Sequence, residues 1–297
     1  MNSNKQKIGI FGIGAIGSVM ACCLQDKHQV YFFNRSLKKR IDLIIEKETF
    51  SKQIQLSKAS EKINLDWLLI CIKEYHYLAA APELAALITP STRVGIIRNG
   101  LYLKEPLLAY ASKEQLVEVM IDCPTQLIED GKFHALRKPK LKLEGGALAT
   151  SLHQLFNPNL IQLRQVDNFI TASWEKLIES SALGAILALS GESVWIFKDN
   201  AIIKLFEQLV DEGIAVAYVD GAKLSATFKK DLLEKLAKYP DHKESSMLTD
   251  RRLGRPIEVN AKNGIISRLG KVYGLATPLN DWATHLLKYT NTRRIGN

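Results

Sequence analysis

Gly12-Ile13-Gly14-Ala15-Ile16-Gly17 spells G-x-G-x-x-G directly after the apolar run Ile8-Gly9-Ile10-Phe11. After a strand and at the start of a helix, each glycine has a task. They allow a tight turn, approach of the backbone to a pyrophosphate, and close packing of helix on strand. The opening helix supplies unpaired N–H groups and a positive dipole end. The stretch from Gly12 through Ile13, Gly14, Ala15 and Ile16 to Gly17 is therefore expected to bind a dinucleotide. Asn34-Arg35-Ser36 follows the next apolar run, Val30–Phe33. NAD sites usually place an acid there for the ribose hydroxyls; this chain has none, and Arg35 can pair with a 2′-phosphate, which points to NADP. Lys73 follows the run Trp67–Ile72 and is a candidate second cation for the same phosphate. Asn99-Gly100 follows the run Val94–Ile97. Alone it reads as a turn; at the carboxyl end of a sheet strand it becomes a candidate ligand-facing residue.

The second half offers fewer polar candidates. Lys176, Ser180 and then Leu183 or Gly184 fall at helical spacing, off the apolar stripe that runs through Trp174, Leu177, Ile178 and Ser181. That second stripe is small and polar apart from Leu183, so it is suited to face a cleft. Glu258 comes two residues after Pro256 and reads as an acid near a helix N-terminus. The six histidines show no ligand spacing, so no metal site is expected, and no nucleophile–base pair is readable.

The elements that must hold these residues form two series. Short apolar runs alternate with helical patterns from Ile8 to Ile97, which predicts βαβ units and a parallel sheet. Asp130-Gly131 between two strand-like runs predicts an antiparallel hairpin near the sheet edge. After about Asp167 the strands stop. Segments 168–189, 200–219, 223–238, 256–273 and 278–289 carry helical periodicity, with Pro256 and Pro278 in first turns. The predicted fold is a Rossmann-like α/β domain, mostly parallel with an antiparallel edge, over residues 1–167. An all-α substrate and catalytic domain follows over 168–297.

Composition excludes several classes. The chain has 297 residues, is 46% hydrophobic and 24% charged, and carries a net charge of +9, as a folded globular protein with a basic surface does. No basic stripe with interleaved aromatics is present, so nucleic acid is not an expected partner. The run Arg137–Lys142 reads instead as a solvated strand edge. The uncharged stretch Ile8–Leu24, ending in Ala21-Cys22-Cys23, mimics a signal peptide, but Gly9, Gly12, Gly14 and Gly17 interrupt it. No apolar run reaches the length of a membrane span. The four cysteines include no C-x-x-C pair, which fits a reducing compartment and a cytoplasmic location.

Taken together, these residues resemble the ketopantoate reductase (2-dehydropantoate 2-reductase) family over nearly the whole chain. The resemblance is carried by Gly12–Gly17, Arg35, Ile72-Lys73, Arg98-Asn99-Gly100, Trp174-Glu175-Lys176-Leu177, Ser245-Ser246-Met247-Leu248-Thr249-Asp250, Glu258 and Asn263-Gly264. The S-S-M-x-x-D segment followed by Glu258 is its most specific part. The resemblance implies NADPH-dependent reduction of 2-dehydropantoate to pantoate, in pantothenate and coenzyme A biosynthesis, with Lys176 as general acid. It implies that Asn99 helps place nicotinamide and substrate, that Ser180 and Ser246 bind substrate, and that Glu258 contacts the cofactor side and holds Lys176. The partner it implies is a small 2-oxo acid. Apart from the resemblance, the apolar faces of the helical half are suited to pair with a second copy of the chain, and the lack of a long apolar run predicts no membrane partner.

Three positions depart from the family pattern, which usually has Asn one and two turns after the lysine and three residues before the binding serine. Here they are Ser180, Gly184 and Lys243. Loss of partners for a substrate hydroxyl bears on substrate choice more than on hydride chemistry. A reductase of another 2-oxo acid and a non-catalytic NADPH-binding regulator are the alternatives.

Overall fold

The structure, a computed structural model, describes residues 5–292, with side chains to Tyr289 and Thr290 at the end of the last helix. The chain divides into two compact units, Met1–Phe169 and Ile170–Asn297.

In the first unit the order is β1 (Lys7–Phe11), α1 (Ala15–Cys23), β2 (Gln29–Phe33), β3 (Arg40–Ile45) and β4 (Glu48–Gln53). It continues with β5 (Trp67–Ile70), α2 (Tyr77–Leu87), β6 (Arg93–Ile97), β7 (Leu116–Asp122) and β8 (Thr125–Glu129). It ends with β9 (Lys132–Ala135), β10 (Lys140–Glu144), α3 (Ala147–His153) and β11 (Gln162–Val166). A seven-stranded sheet runs in the order β11-β10-β7-β6-β5-β1-β2. From β2 to β7 every neighbour is parallel. β10 is antiparallel to β7, and β11 is parallel to β10. The expected α/β architecture with an antiparallel part is therefore present. The strands β1, β5 and β6 are buried along almost their whole length, as parallel strands covered on both faces must be.

A second, four-stranded sheet, β4-β3-β9-β8, was not expected. The Asp130-Gly131 turn does join an antiparallel pair, β8 and β9, but that pair belongs to this second sheet and not to the edge of the first. The run Arg137–Lys142 also differs from expectation. Its β10 portion lies between β7 and β11, with Leu141 and Leu143 buried, so it is an interior strand with its lysines on the wetter face.

Helix α1 packs on β1 and also on β3, β4, β8 and β9 of the second sheet. A helix covered on both sides must be apolar all round. That is the physical reason the stretch Ile8–Leu24 carries no charge. Val19, Met20, Ala21 and Cys23 are fully buried there. Burying each of the larger ones stabilises the fold by about 1.5–3 kcal/mol. Burial also pushes the Cys22 thiol up to about 12, which makes it inert as a nucleophile.

The second unit is helical: α4 (Phe169–Ser190), α5 (Asn200–Val219), α6 (Phe228–Ala237), α7 (Ser246–Arg252), α8 (Asn263–Tyr273) and α9 (Pro278–Thr292). Local chemistry sets several ends. Asp199 caps α5 by accepting the Ala201 N–H at 2.8 Å. Gly274 ends α8 at φ 67, and Pro278 opens α9. The expected helix over 256–273 begins only at Asn263. Ile257 and Val259 are both buried while Glu258 and Asn260 are not, and the Val259 N–H donates to the Ile257 carbonyl at 2.9 Å, so the preceding segment is a tight turn and not helix. Among the described residues no helix is long and apolar enough to cross a membrane.

Candidate active site

The first cluster lies along the carboxyl edge of the parallel strands in unit one. Register pairs Phe11 with Phe33 and with Ile70, so the segments after β1, β2 and β5 leave the sheet at one level. Gly12 starts its turn at φ +92, where a Cβ would also strike Ile72. A Cβ on Gly17 would lie 1.9 Å from the Gly12 carbonyl oxygen, so helix and strand can approach only through glycine. At Gly14 a Cβ would meet nothing within 4 Å. The middle glycine thus faces open space rather than protein. Helix α1 has no side-chain cap and no acid in its first turn. Its first N–H groups, at Ala15, Ile16 and Gly17, have no intrahelical acceptor by geometry. Such an end suits an anion.

Ile13 plays a different part from the one expected. Its side chain is buried, and its N–H donates to Asn34 Oδ1 at 2.9 Å. Asn34 in turn donates from Nδ2 to the Ser36 carbonyl at 2.7 Å. Asn34 therefore ties the glycine turn to the turn that carries Arg35. Sequence reasoning noted only that this position lacked an acid. Arg35 is exposed at the end of β2, an edge strand. Lys73 is half-buried in extended backbone after β5, with its ammonium 5.9 Å from the centre of the Tyr75 ring.

Asn99 is half-buried just after β6, and its Oδ1 accepts the Ile121 N–H of β7 at 3.0 Å. That bond fixes the amide, with its oxygen on the β7 backbone. Beside it, Nε and Nη1 of Arg98 are buried without a hydrogen-bond partner among the described residues, and the guanidinium stacks 5.2 Å from the Tyr77 ring centre. Arg98 entered the sequence reading only as part of a motif. Its burial has no local sequence signal.

The second cluster is in unit two. Lys176 is half-buried in the middle of α4, on a helix whose other turns are largely apolar. Its charge acts on Glu179, one turn on. Burial pushes the Glu179 carboxyl up, but the Lys176 charge and hydrogen bonds from Lys235 and Tyr239 outweigh it and hold the carboxyl below its usual range. Ser180 shares the Lys176 face at i, i+4. The expected polar stripe ends there. Leu183 is buried, and Gly184 lies under Met247.

The Ser180 hydroxyl donates to the Leu177 carbonyl at 3.3 Å and accepts from Lys262 Nζ at 2.8 Å. Lys262 is 6% exposed. Sequence reasoning missed it entirely, because nothing in the pattern marks a lysine before Asn-Gly as buried. Ser246 is the exposed first residue of α7, and the helix is capped by its neighbour Ser245, whose Oγ accepts the Leu248 N–H at 3.1 Å. Glu258 is half-buried at the centre of the tight turn before α8. Met247, Ile257 and Val259 pack in one cluster with Ala185 and Ala188 of α4, which brings Ser246 and Glu258 beside the second half of that helix.

Comparisons with known proteins extend these observations. Residues 8–147 match the family model described as ketopantoate reductase PanE/ApbA, and residues 168–291 match the model of its C-terminal part. The 2-dehydropantoate 2-reductase of Caulobacter vibrioides is 30% identical over 283 residues, which is 94% of this chain and 97% of that protein. A dimeric ketopantoate reductase from Staphylococcus aureus superposes with a TM-score of 0.86 at 23% identity, over 97% of this chain and 99% of that one. A D-mandelate dehydrogenase solved with NADH and anilino(oxo)acetate superposes with a TM-score of 0.85 at 18% identity, over 97% and 99%.

Proposed function

Because the chain belongs to the ketopantoate reductase family, we propose that it reduces 2-dehydropantoate to pantoate with NADPH, using Lys176 as the general acid. It is an oxidoreductase by that membership. The same proposal places it in the cytoplasm, in pantothenate formation.

The first unit fits a dinucleotide. Gly14 leaves the backbone open to a pyrophosphate, and α1 offers amides without a competing acid. Arg35, in a turn without a carboxylate, supports NADP over NAD by pairing with the 2′-phosphate, and Lys73 adds a second charge on the same edge. When bound, the reduced nicotinamide supplies a hydride to the 2-oxo carbon. Asn99, fixed through Ile121, would orient nicotinamide and substrate by its NH2 group. In the second unit, Lys176 would donate a hydrogen bond and then a proton to the carbonyl oxygen as negative charge gathers there. Glu179 would keep that ammonium in place, Glu258 would contact the cofactor side, and Ser246 would take the substrate carboxylate.

The observation that carries the reading is a half-buried lysine within a largely apolar helix, one turn before a buried carboxylate that its charge, with Lys235 and Tyr239, holds below the usual range. The test is NADPH oxidation by the purified protein with 2-dehydropantoate, beside other 2-oxo acids and an NADH control. Lys176→Ala should keep NADPH affinity and lose at least about a hundredfold in kcat. Retained turnover in that variant would remove the acid assignment.

A second reading has its own observation. Met247 fills the space beside Gly184, where the family usually carries Asn. A reductase of a related 2-oxo acid would follow if another member of the panel is turned over faster than 2-dehydropantoate.

A further inference from the structure

Strand β6 begins at Arg93 and is followed at once by Arg98, and the protein treats these two arginines differently. Arg93 is half-buried at the amino end and stacks 4.9 Å from the Trp67 ring centre. Every nitrogen of its guanidinium has an acceptor. Nε donates to the Asp66 carbonyl at 3.3 Å, Nη1 to Ser151 Oγ at 2.8 Å, and Nη2 to Gln6 Oε1 at 3.1 Å. Arg98 is half-buried at the carboxyl end and also stacks on an aromatic ring, that of Tyr77. Its backbone is held, since its N–H donates to the Val119 carbonyl at 3.1 Å. Yet its Nε and Nη1 are buried and find no acceptor among the described residues. Guanidinium N–H groups left unpaired out of water are costly, and buried polar groups are normally matched by protein, water or a ligand. The two ends of β6 differ in what reaches them, because an open parallel sheet takes its ligands at the carboxyl ends of its strands.

We infer that Arg98 is a further cofactor-binding residue, and that its guanidinium donates to the oxygens of the nicotinamide half, on the ribose or the carboxamide. The inference rests on the proposed use of NADPH. Strand order decides which half of the dinucleotide lies there. Arg35 follows β2, the glycine turn follows β1, and β5 and β6 come next in the sheet. At about 4.8 Å between neighbours, the end of β6 stands roughly 10 Å from that of β1 and roughly 15 Å from that of β2. A dinucleotide with its 2′-phosphate at Arg35 and its pyrophosphate on α1 therefore extends its nicotinamide half toward β5 and β6. Tyr77, the first residue of α2, backs the flat face of the Arg98 guanidinium. The donors of a guanidinium lie in its plane, so the ring fixes the direction in which they can act.

The experiment is calorimetric titration of the wild type, Arg98→Met and Arg98→Lys with NADPH and with adenosine 2′,5′-bisphosphate. The bisphosphate carries the 2′-phosphate and lacks the nicotinamide half. Arg98→Met keeps an unbranched side chain against Tyr77 and removes every donor. It should weaken NADPH by about tenfold or more and the bisphosphate by less than about twofold. Arg98→Lys, a point charge without the planar fork, should fall between on NADPH. Equal losses on both ligands, or no loss on NADPH, would overturn the inference. The melting temperature of Arg98→Met without cofactor should not fall, since the substitution removes unpaired buried donors; if that variant fails to fold, Arg98→Lys decides by the same comparison. If the wild type takes up NADPH but not the bisphosphate, Arg35→Ala is combined with the Arg98 variant. Losses on NADPH that add place the two residues at opposite ends of the cofactor, and a double loss no larger than the greater single one overturns that placement. If the wild type binds NADH and not NADPH, the NADP reading fails separately, and NADH beside AMP makes the comparison. Binding of neither dinucleotide overturns both.

Discussion

The sulfur of Met247 occupies the space that a side chain at position 184 would need. A Cβ on Gly184 would lie 2.4 Å from Sδ and 3.3 Å from Cγ. Met247 is itself 2% exposed and has little room to withdraw. The contact explains why α4 carries glycine at this turn: α7 packs directly onto its backbone. Gly184→Asn should destabilise the protein by about 1–3 kcal/mol. Combining it with Met247→Ala should recover part of that loss, because the clash and the cavity offset each other. Denaturant unfolding of the two single variants and the double variant measures the coupling; additive losses would show that the two residues do not share the space.

Two glycines of the same loop should behave oppositely. Gly17→Ala places a Cβ 1.9 Å from the Gly12 oxygen and should cost roughly 3 kcal/mol or prevent folding. Gly14 has φ −86 and open space around it, so Gly14→Ala should change stability by less than about 0.5 kcal/mol. It should nevertheless weaken NADPH by about tenfold or more, through the methyl group set where a phosphate would lie. Fluorescence titration with NADPH beside thermal melting separates the two effects. Unchanged affinity in Gly14→Ala would remove the loop from the cofactor site.

Arg35 is the test of cofactor choice. Arg35→Ala should weaken NADPH by about 10- to 30-fold, the loss of one charge-assisted contact, and NADH by less than twofold. Equal losses for both would mean that Arg35 does not read the 2′-phosphate.

Glu179 gives the fold a defined response to acid. Its folded carboxyl titrates below its ordinary value, so the unfolded chain binds a proton more readily. The stabilisation is complete above the unfolded value and is lost as the pH falls through the folded one. The melting temperature should therefore drop below about pH 4.5, and Glu179→Gln should flatten that part of the profile. An identical slope in the variant would assign the acid sensitivity to other carboxylates.

What could be read from the chain divides along physical lines. The Gly12–Gly17 turn was legible because its constraint is local: the clash that forces glycine at 17 involves a residue of the same turn. Arg35, Lys73 and Asn99 were legible as positions, since each follows an apolar strand, though the Asn34 bridge between the two turns was not. The β3–β4 hairpin escaped because its turn has Glu46 at φ 56 followed by Lys47, without the Asn-Gly or Gly-rich signal that normally marks such turns. The start of α8 differs because Pro256 resembles a helix opening, whereas the chain turns tightly at Glu258, with Ile257 and Val259 both buried. Lys262 was beyond reach, because its anchor lies 82 positions away on another helix. No window of sequence contains both.

The terminal helix has a bearing on how this protein would be altered by design. Asn280 sits in the first turn of α9, yet through Asn263 it sets the backbone next to Lys262. Glu212 reinforces the link by accepting the N–H groups of Leu279 and Asn280 at 2.8 and 2.9 Å. Trimming or grafting that final helix would therefore loosen the start of α8 and the middle of α5 as well, because one asparagine holds all three.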